Sequence, residues 1–143
     1  YETVTNTEKW FTLKIRVHEA AGSSNTYFKY YNINKLSGKI VKLGDLAADD
    51  SFYDILEKEI KRQMRLETEL DSNKVYWFDE SIIGEDFVAL DSEHNFYLTE
   101  NGDMVIAFDK YEVAPGSMGT PEFTISKDII KEIIKPEFNN IFS

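Results

Sequence analysis

The sequence predicts an α+β domain: an antiparallel sheet of about five strands with two main helices packed on one face. Three observations carry that expectation. Residues 11–18 alternate apolar Phe11, Leu13, Ile15 and Val17 with polar Thr12, Lys14, Arg16 and His18, the period of a half-buried strand. Phe52, Ile55, Leu56, Ile60 and Met64 recur at the spacing of one helix face. Glu100-Asn101-Gly102-Asp103 separates two apolar runs as a hairpin turn does.

The elements follow in order. After the first strand, residues 21–25 are small and polar, with Gly22 free to take positive φ, so they read as a turn. Residues 26–33 (TYFKYYNI) are aromatic and read as the paired strand. Residues 34–38 form another turn and residues 39–42 a short strand. Asp49, Asp50 or Ser51 caps the first helix, whose outer face carries Glu57, Lys58, Lys61, Arg62 and Arg65 and which fades near Leu70. Residues 73–90 are ambiguous: Tyr76, Trp77 and Phe78 are strand-like, and Ile82, Ile83, Phe87 and Val88 read as a helical turn or a packed loop. In the hairpin of residues 95–99 and 104–109, Asn-Gly favours a type I′ turn. Residues 104–108 are apolar on both faces, which predicts a central strand. Residues 122–125 are the last strand. Ser126 caps a final helix through Ile129, Ile130, Ile133 and Ile134, ended or kinked by Pro136.

Composition narrows the function. The chain has 143 residues, 42% of them hydrophobic, which suits one domain, residues 1–143, with one sizeable core. Its net charge of −10 makes nucleic acid and anionic membranes poor partners and a basic protein a good one. The absence of cysteine excludes a disulfide framework and thiol chemistry. No run of 18 apolar residues occurs, so no segment reads as a membrane span. The chain opens on Tyr1 in a polar stretch and is expected to be a piece of a longer protein, with any signal, anchor or cytoplasmic segment elsewhere.

Catalytic patterns are weak. Asp91, Glu93 and His94 could hold a metal, but no standard ligand spacing supports it, and a solvated loop explains them better. Asp79, Glu80, Glu85 and Asp86 offer paired carboxylates, which an acidic loop explains equally well. Ser117 would need a base, and neither His18 nor His94 can be placed beside it from sequence. No nucleophile elbow, phosphate loop or dinucleotide fingerprint is present. The expectation is therefore a non-enzyme without cofactor or metal. The aromatics Tyr27, Phe28, Tyr30 and Tyr31 invite a stacking role for sugars or bases, against core packing as the plainer account, and the net charge disfavours nucleic acid. The loop of residues 113–121 carries two prolines, two glycines and no charge. It reads either as a tight connection or as a stiff recognition loop with low ordering and desolvation costs.

Two segments resemble the outer domain of anti-sigma-V factors. Tyr30-Tyr31-Asn32-Ile33-Asn34-Lys35-Leu36-Ser37-Gly38-Lys39, followed by Leu43-Gly44-Asp45-Leu46, is similar to that domain's "yyNID-tGk-x-LxDLF" segment. Asn95-Phe96-Tyr97-Leu98, then Phe108-Asp109-Lys110-Tyr111-Glu112-Val113-Ala114-Pro115-Gly116, is similar to "nFYi…F-x-x-YEIAPG". Phe123-Thr124-Ile125 resembles the strand that follows. The matches run in order from about residue 10 to 130; Asn34 stands where the family usually has Asp, and Ala47 where it often has Phe.

The resemblance implies an extracytoplasmic sensor domain of a protein anchored in the membrane at the bacterial cell surface. Its implied ligand is c-type lysozyme, a basic protein with a deep cleft, whose binding triggers regulated proteolysis and release of a sigma factor. The sigma factor itself would bind only through a segment outside this chain. By motif, the implied partner-binding residues are Pro115, Gly116, Ser117 and Met118; by order along the chain, Ser23, Ser24 and Asn25 join them. A related domain accompanies some peptidoglycan deacetylases, so the alternative is a non-catalytic module of a cell-envelope protein that binds peptidoglycan or another glycan.

Overall fold

The computed structural model describes residues 1–20, 25–77 and 88–142, with the backbone alone at Asn25. The fold is α+β, but the strands form two antiparallel sheets rather than one. The first sheet has four strands: β1 (Glu2–Asn6), β2 (Trp10–Glu19), β3 (Asn25–Asn34) and β4 (Lys39–Val41), in that order. The second has three: β5 (Phe96–Leu98), β6 (Met104–Ala107) and β7 (Glu122–Ile125). Seven strands among the described residues correct the expected five.

The undercount has a physical cause. β1 is a polar edge strand that buries only Thr5, so it lacks apolar alternation. It is held by pairing with β2 through a register shift between Thr3 and Thr5, and by the Thr5 hydroxyl donating to the Leu98 carbonyl. The long β2–β3 hairpin keeps strict register from Trp10↔Asn34 to Glu19↔Asn25. β6 is central in its sheet and fully buried, as its unbroken apolar run requires.

The β5–β6 turn is not type I′. Gly102 has φ +89, whereas no non-glycine residue except Tyr111 has positive φ among the described residues. The Gly102 N–H donates to the Thr99 carbonyl at 3.0 Å, and Thr99 N–H to the Asp103 carbonyl at 2.8 Å. That is a three-residue loop closed by a left-handed glycine, the next commonest hairpin connection.

One long helix, not two, covers the core. After the short α1 (Leu43–Leu46), α2 runs from Ser51 to Leu70 and buries Phe52, Leu56, Ile60 and Met64. The Asp49 carboxylate accepts from the Ser51 N–H at 2.9 Å at its start. Gln63 on α2 donates to the Thr124 carbonyl of β7 at 2.9 Å, fixing the helix on the three-stranded sheet.

The expected final helix stops after one turn, α3 (Lys127–Ile130). Ser126 caps it as predicted, accepting from the Asp128 N–H at 3.2 Å. Its run of β-branched isoleucines is a weak helix former. The backbone beyond it finds better partners: Ile134 bridges Ala47, and the Lys135 N–H donates to the Leu46 carbonyl at 2.9 Å. Ile133, Ile134, Phe138 and Phe142 then enter the core as a coiled tail.

Asn32 joins the two sheets. This buried residue of β3 accepts from the Trp10 indole at 3.1 Å and from the Thr12 hydroxyl at 2.6 Å. Its amide donates to the Phe96 carbonyl of β5 at 2.8 Å.

Candidate functional site

The uncharged loop grows out of the central strand. After β6, the Phe108 N–H donates to the Pro121 carbonyl at 2.9 Å, which closes the base of the loop. Residues 109–112 make a tight turn: the Glu112 N–H donates to the Asp109 carbonyl at 3.1 Å, and the Asp109 N–H to Glu112 Oε1 at 3.0 Å. Tyr111 takes φ +71 within this turn, a conformation costly for a bulky side chain. Val113 and Ala114 are buried, and the Val113 carbonyl accepts from the Trp77 N–H at 2.7 Å. The loop is therefore anchored at its stem.

Its tip stands outward. Gly116–Met118 form a single 3₁₀ turn preceded by Pro115, with the Met118 N–H donating to the Pro115 carbonyl at 3.0 Å. Ser117 is exposed; Pro115, Gly116 and Met118 are half-buried. The four loop residues named from the sequence thus sit together on one preformed turn. Gly116 is needed for space: a Cβ there would lie 2.6 Å from the Tyr111 hydroxyl and 2.7 Å from its ring carbons.

Of the other named residues, Ser23 and Ser24 lie outside the described residues, and Asn25 begins β3 opposite Glu19. The end of β3 next to that turn and the stem of the uncharged loop flank one cleft of about 590 Å³. Tyr27, Tyr30 and Tyr31 of β3 line it, together with Asp91, Asp109 and Glu112.

Two acid–base groups of the cleft, His94 and Glu112, are perturbed by burial. The His94 side chain is only 9% exposed; its ring packs edge-on against Phe108 at 4.8 Å, and Nδ1 lies 3.9 Å from Glu112 Oε2. Nε2 is buried without a hydrogen-bond partner. Burial lowers the imidazole pKa, opposed in part by the Ala107 carbonyl and by Asp91 and Asp109. Burial raises the Glu112 pKa, and the negative charges of Asp109 and Asp91 push it the same way, against the stabilising Asp109 N–H.

The metal reading of Asp91, Glu93 and His94 does not assemble. Glu93 turns away to pair with Lys42 at 2.7 Å, and no group of three ligating side chains occurs among the described residues. Asp79, Glu80, Glu85 and Asp86 lie outside the described residues. Among those described, no hydrogen bond joins Ser117 to either histidine; His18 Nδ1 instead meets the Thr26 hydroxyl at 2.8 Å.

The aromatic strand is largely occupied by the protein itself. Tyr30 stacks on Tyr97 with centroids 5.6 Å apart, and Lys14 Nζ stands 4.3 Å over the Phe28 ring. The Tyr97 hydroxyl donates to Glu122 at 2.6 Å. Of these aromatics only Tyr31 is exposed, at 40%.

Sequence reasoning missed the cleft, Tyr111 and Asn95. Tyr111 and Gly116 stand five positions apart in the "YEVAPG" stretch, and that pairing was the available signal. The cleft joins residues 27–31 of β3 to residues sixty or more positions later, so no local pattern reports it.

Comparison with known proteins bears on the same residues. The chain is 35% identical over 137 residues to the anti-sigma-V factor RsiV of Bacillus subtilis (strain 168), covering 96% of this chain. It spans about half, 48%, of that relative's length. The resemblance to anti-sigma-V factors read from the motifs therefore holds across the chain. A crystal structure of a DUF3298 family protein from Pseudomonas aeruginosa PAO1 matches with a TM-score of 0.70 at 19% identity, covering 94% of this chain and 60% of that one. A member from Bacteroides fragilis NCTC 9343 matches with a TM-score of 0.67 at 16% identity, covering 99% and 54%. These two share the fold. Residues 44–128 match the family model described as "Protein of unknown function (DUF3298)", and the chain belongs to the DUF3298 family.

Proposed function

We propose that this chain is the extracytoplasmic ligand-binding domain of a membrane-anchored anti-sigma factor, and that its ligand is c-type lysozyme. In this reading lysozyme binding exposes the rest of the protein to proteolysis, which releases the sigma factor. The observation that carries it is the 35% identity to RsiV over nearly the whole chain. The loop supports it: a proline-led, uncharged turn on an anchored stem loses little entropy on entering a partner's cleft. The net charge of −10 suits a basic partner. The chain acts as a binding domain rather than an enzyme, and a sigma factor would engage another part of the protein. No helix among the described residues is long and apolar enough to cross a membrane, so the anchor would also lie in another part.

A second reading, a non-catalytic module for peptidoglycan or another glycan, draws on exposed Tyr31 beside an acidic cleft. It is the weaker one because Phe28 and Tyr30 are already covered by Lys14 and Tyr97.

Calorimetric titration with c-type lysozyme at two salt concentrations tests the proposal. One-to-one binding at micromolar affinity or tighter, weakening as salt rises, is expected from the charge difference. No heat of binding at either salt removes lysozyme as ligand and moves the glycan module to first place.

A further inference from the structure

β2 turns its apolar residues away from the core. The alternation of Phe11, Leu13, Ile15 and Val17 predicts that this set is the buried one. In the structure the opposite set is buried: Trp10 and Thr12 lie in the interior and bond to Asn32. A slip of one residue would exchange the two sets, and these bonds to Asn32 hold the register against it. Successive side chains of a strand point to opposite faces, so Phe11 to Val17 stand on the outer face of the four-stranded sheet. β3 and β4 extend that face, since Leu13 pairs with Tyr31, Phe11 with Ile33, and Ile33 with Ile40. Ile40 is 64% exposed and Tyr31 40%, and the others are half-buried. Among the described residues, none of this set belongs to the core cluster or packs against it.

The apolar stripe on this face is narrow. Polar Thr3 and Asn6 of β1 bound it beside Leu13 and Phe11. Over β2, β3 and β4 it is roughly 20 Å long and about 10 Å wide, from a rise of about 3.3 Å per residue and a strand spacing of about 4.8 Å. One α-helix of about four turns has those dimensions. A second sheet would overhang onto the polar edge. A contiguous apolar stripe with a polar rim marks a contact surface. The net charge of −10 sets two copies of this chain against each other and opposes an anionic membrane. A basic partner is drawn to carboxylates, and the paired residues of this stripe carry none. RsiV and both solved relatives extend well beyond the part that this chain matches, so each carries further polypeptide in addition to this fold.

We propose that the outer face of β2, β3 and β4, centred on Leu13, Ile15, Tyr31 and Ile33, docks an amphipathic helix from another segment of the same polypeptide. The helix lays its apolar side on the stripe and keeps its polar side in water. The sheet then lies between two layers, with Trp10 and Asn32 turned to the core and Phe11 to Val17 turned to the helix. The proposal rests on the reading of this chain as one domain of a longer protein, and it does not depend on lysozyme being the ligand.

The test compares this chain with the full-length membrane-anchored protein in phosphatidylcholine nanodiscs. A photolysed diazirine probe labels exposed side chains, and mass spectrometry locates the label. Ile15 and Tyr31 are expected to label several-fold less in the full-length protein, with exposed Tyr111 labelled equally in both. L13K combined with I33K should shift the melting temperature of this chain by no more than about 3 °C, because both sites face water there. In the full-length protein the same pair should raise labelling of Ile15 and Tyr31 to the level seen in this chain. Equal labelling of the two wild-type proteins would overturn the docking face and leave the lysozyme reading standing. Labelling that rises as this chain is diluted would assign the face to a second copy and overturn the proposal. Protection that disappears once the outer part of the full-length protein is cut from the membrane would assign the face to lipid and overturn it too. Protection that persists in a full-length protein indifferent to lysozyme would keep the docking face and remove the lysozyme reading.

Discussion

The Tyr111 ring lies against Gly116 so closely that a methyl group on Gly116 would stand 2.6 Å from the phenol oxygen. Tyr111 reaches this position from a left-handed backbone, φ +71, at a strain of roughly 1–3 kcal/mol. The ring and the glycine therefore set each other's conformation and hold the 3₁₀ turn against its stem. G116A should cost about 1–3 kcal/mol in wild-type background, as overpacking does. In a Y111A background the three atoms nearest the added methyl are gone, so the cost should fall by more than half. A double-mutant cycle of urea midpoints checks this, and additive costs would show that the two residues are not coupled.

Pro115 fixes the entry to the turn with φ −59. P115A frees the loop before binding, so lysozyme affinity should fall by roughly two- to five-fold with the fold intact. S117R places bulk and positive charge on the exposed tip, facing a basic partner, and should weaken binding by about tenfold. Calorimetry, with circular dichroism as a check on folding, measures both. Unchanged affinity in both variants would take the loop out of the interface.

Asn32 serves three partners on two sheets, and its replacement leaves all three buried. N32A should destabilise the domain by about 2–4 kcal/mol, from the unsatisfied Trp10 indole, Thr12 hydroxyl and Phe96 carbonyl. N32L should be no better, since filling the volume does not restore the hydrogen bonds. Denaturant unfolding measures the loss. A cost below about 1 kcal/mol would mean that water replaces the side chain.

His94 and Glu112 respond to pH with opposite signs. Burial lowers the folded-state pKa of His94, so the unfolded chain binds that proton more readily. Its neutral form contributes stability above the ordinary value of about 6.5, and that contribution is lost as pH falls from there toward the folded pKa. Burial raises the pKa of Glu112, so its protonation as pH falls toward the ordinary carboxylate range relieves a cost and offsets part of the loss. Asp91 and Asp109, which face both groups, temper the first shift and strengthen the second. Wild-type melting temperature should therefore drop relative to H94Q between pH 7 and pH 5.5, and E112Q should show a steeper drop than wild type. Parallel melting curves for wild type and H94Q would place His94 in water-like surroundings.

Local pattern was enough for much of the fold. The alternation at residues 11–18, the aromatic run of β3, the spacing of Phe52 to Met64 and the apolar run of β6 each name an element through nearest-neighbour geometry, because burial on one face imposes its period on the chain. The same locality carried the loop at Pro115–Met118, whose stiffness is written in its prolines and glycines. Assembly of the strands into two sheets is not local: it rests on Asn32 reaching Phe96, and on a polar β1 that pairing with β2 rather than apolar burial makes a strand. The final helix failed for a related reason, since the Leu46 carbonyl and Ala47 compete for backbone groups that an isolated turn would keep. The acidic cleft is the extreme case. Tyr27, Asp91 and Glu112 are chemically ordinary in sequence, and only the packing of β3 beside residues 91–95 and 109–112 brings them to one cleft, because a site made of distant residues exists only once the chain between them has folded.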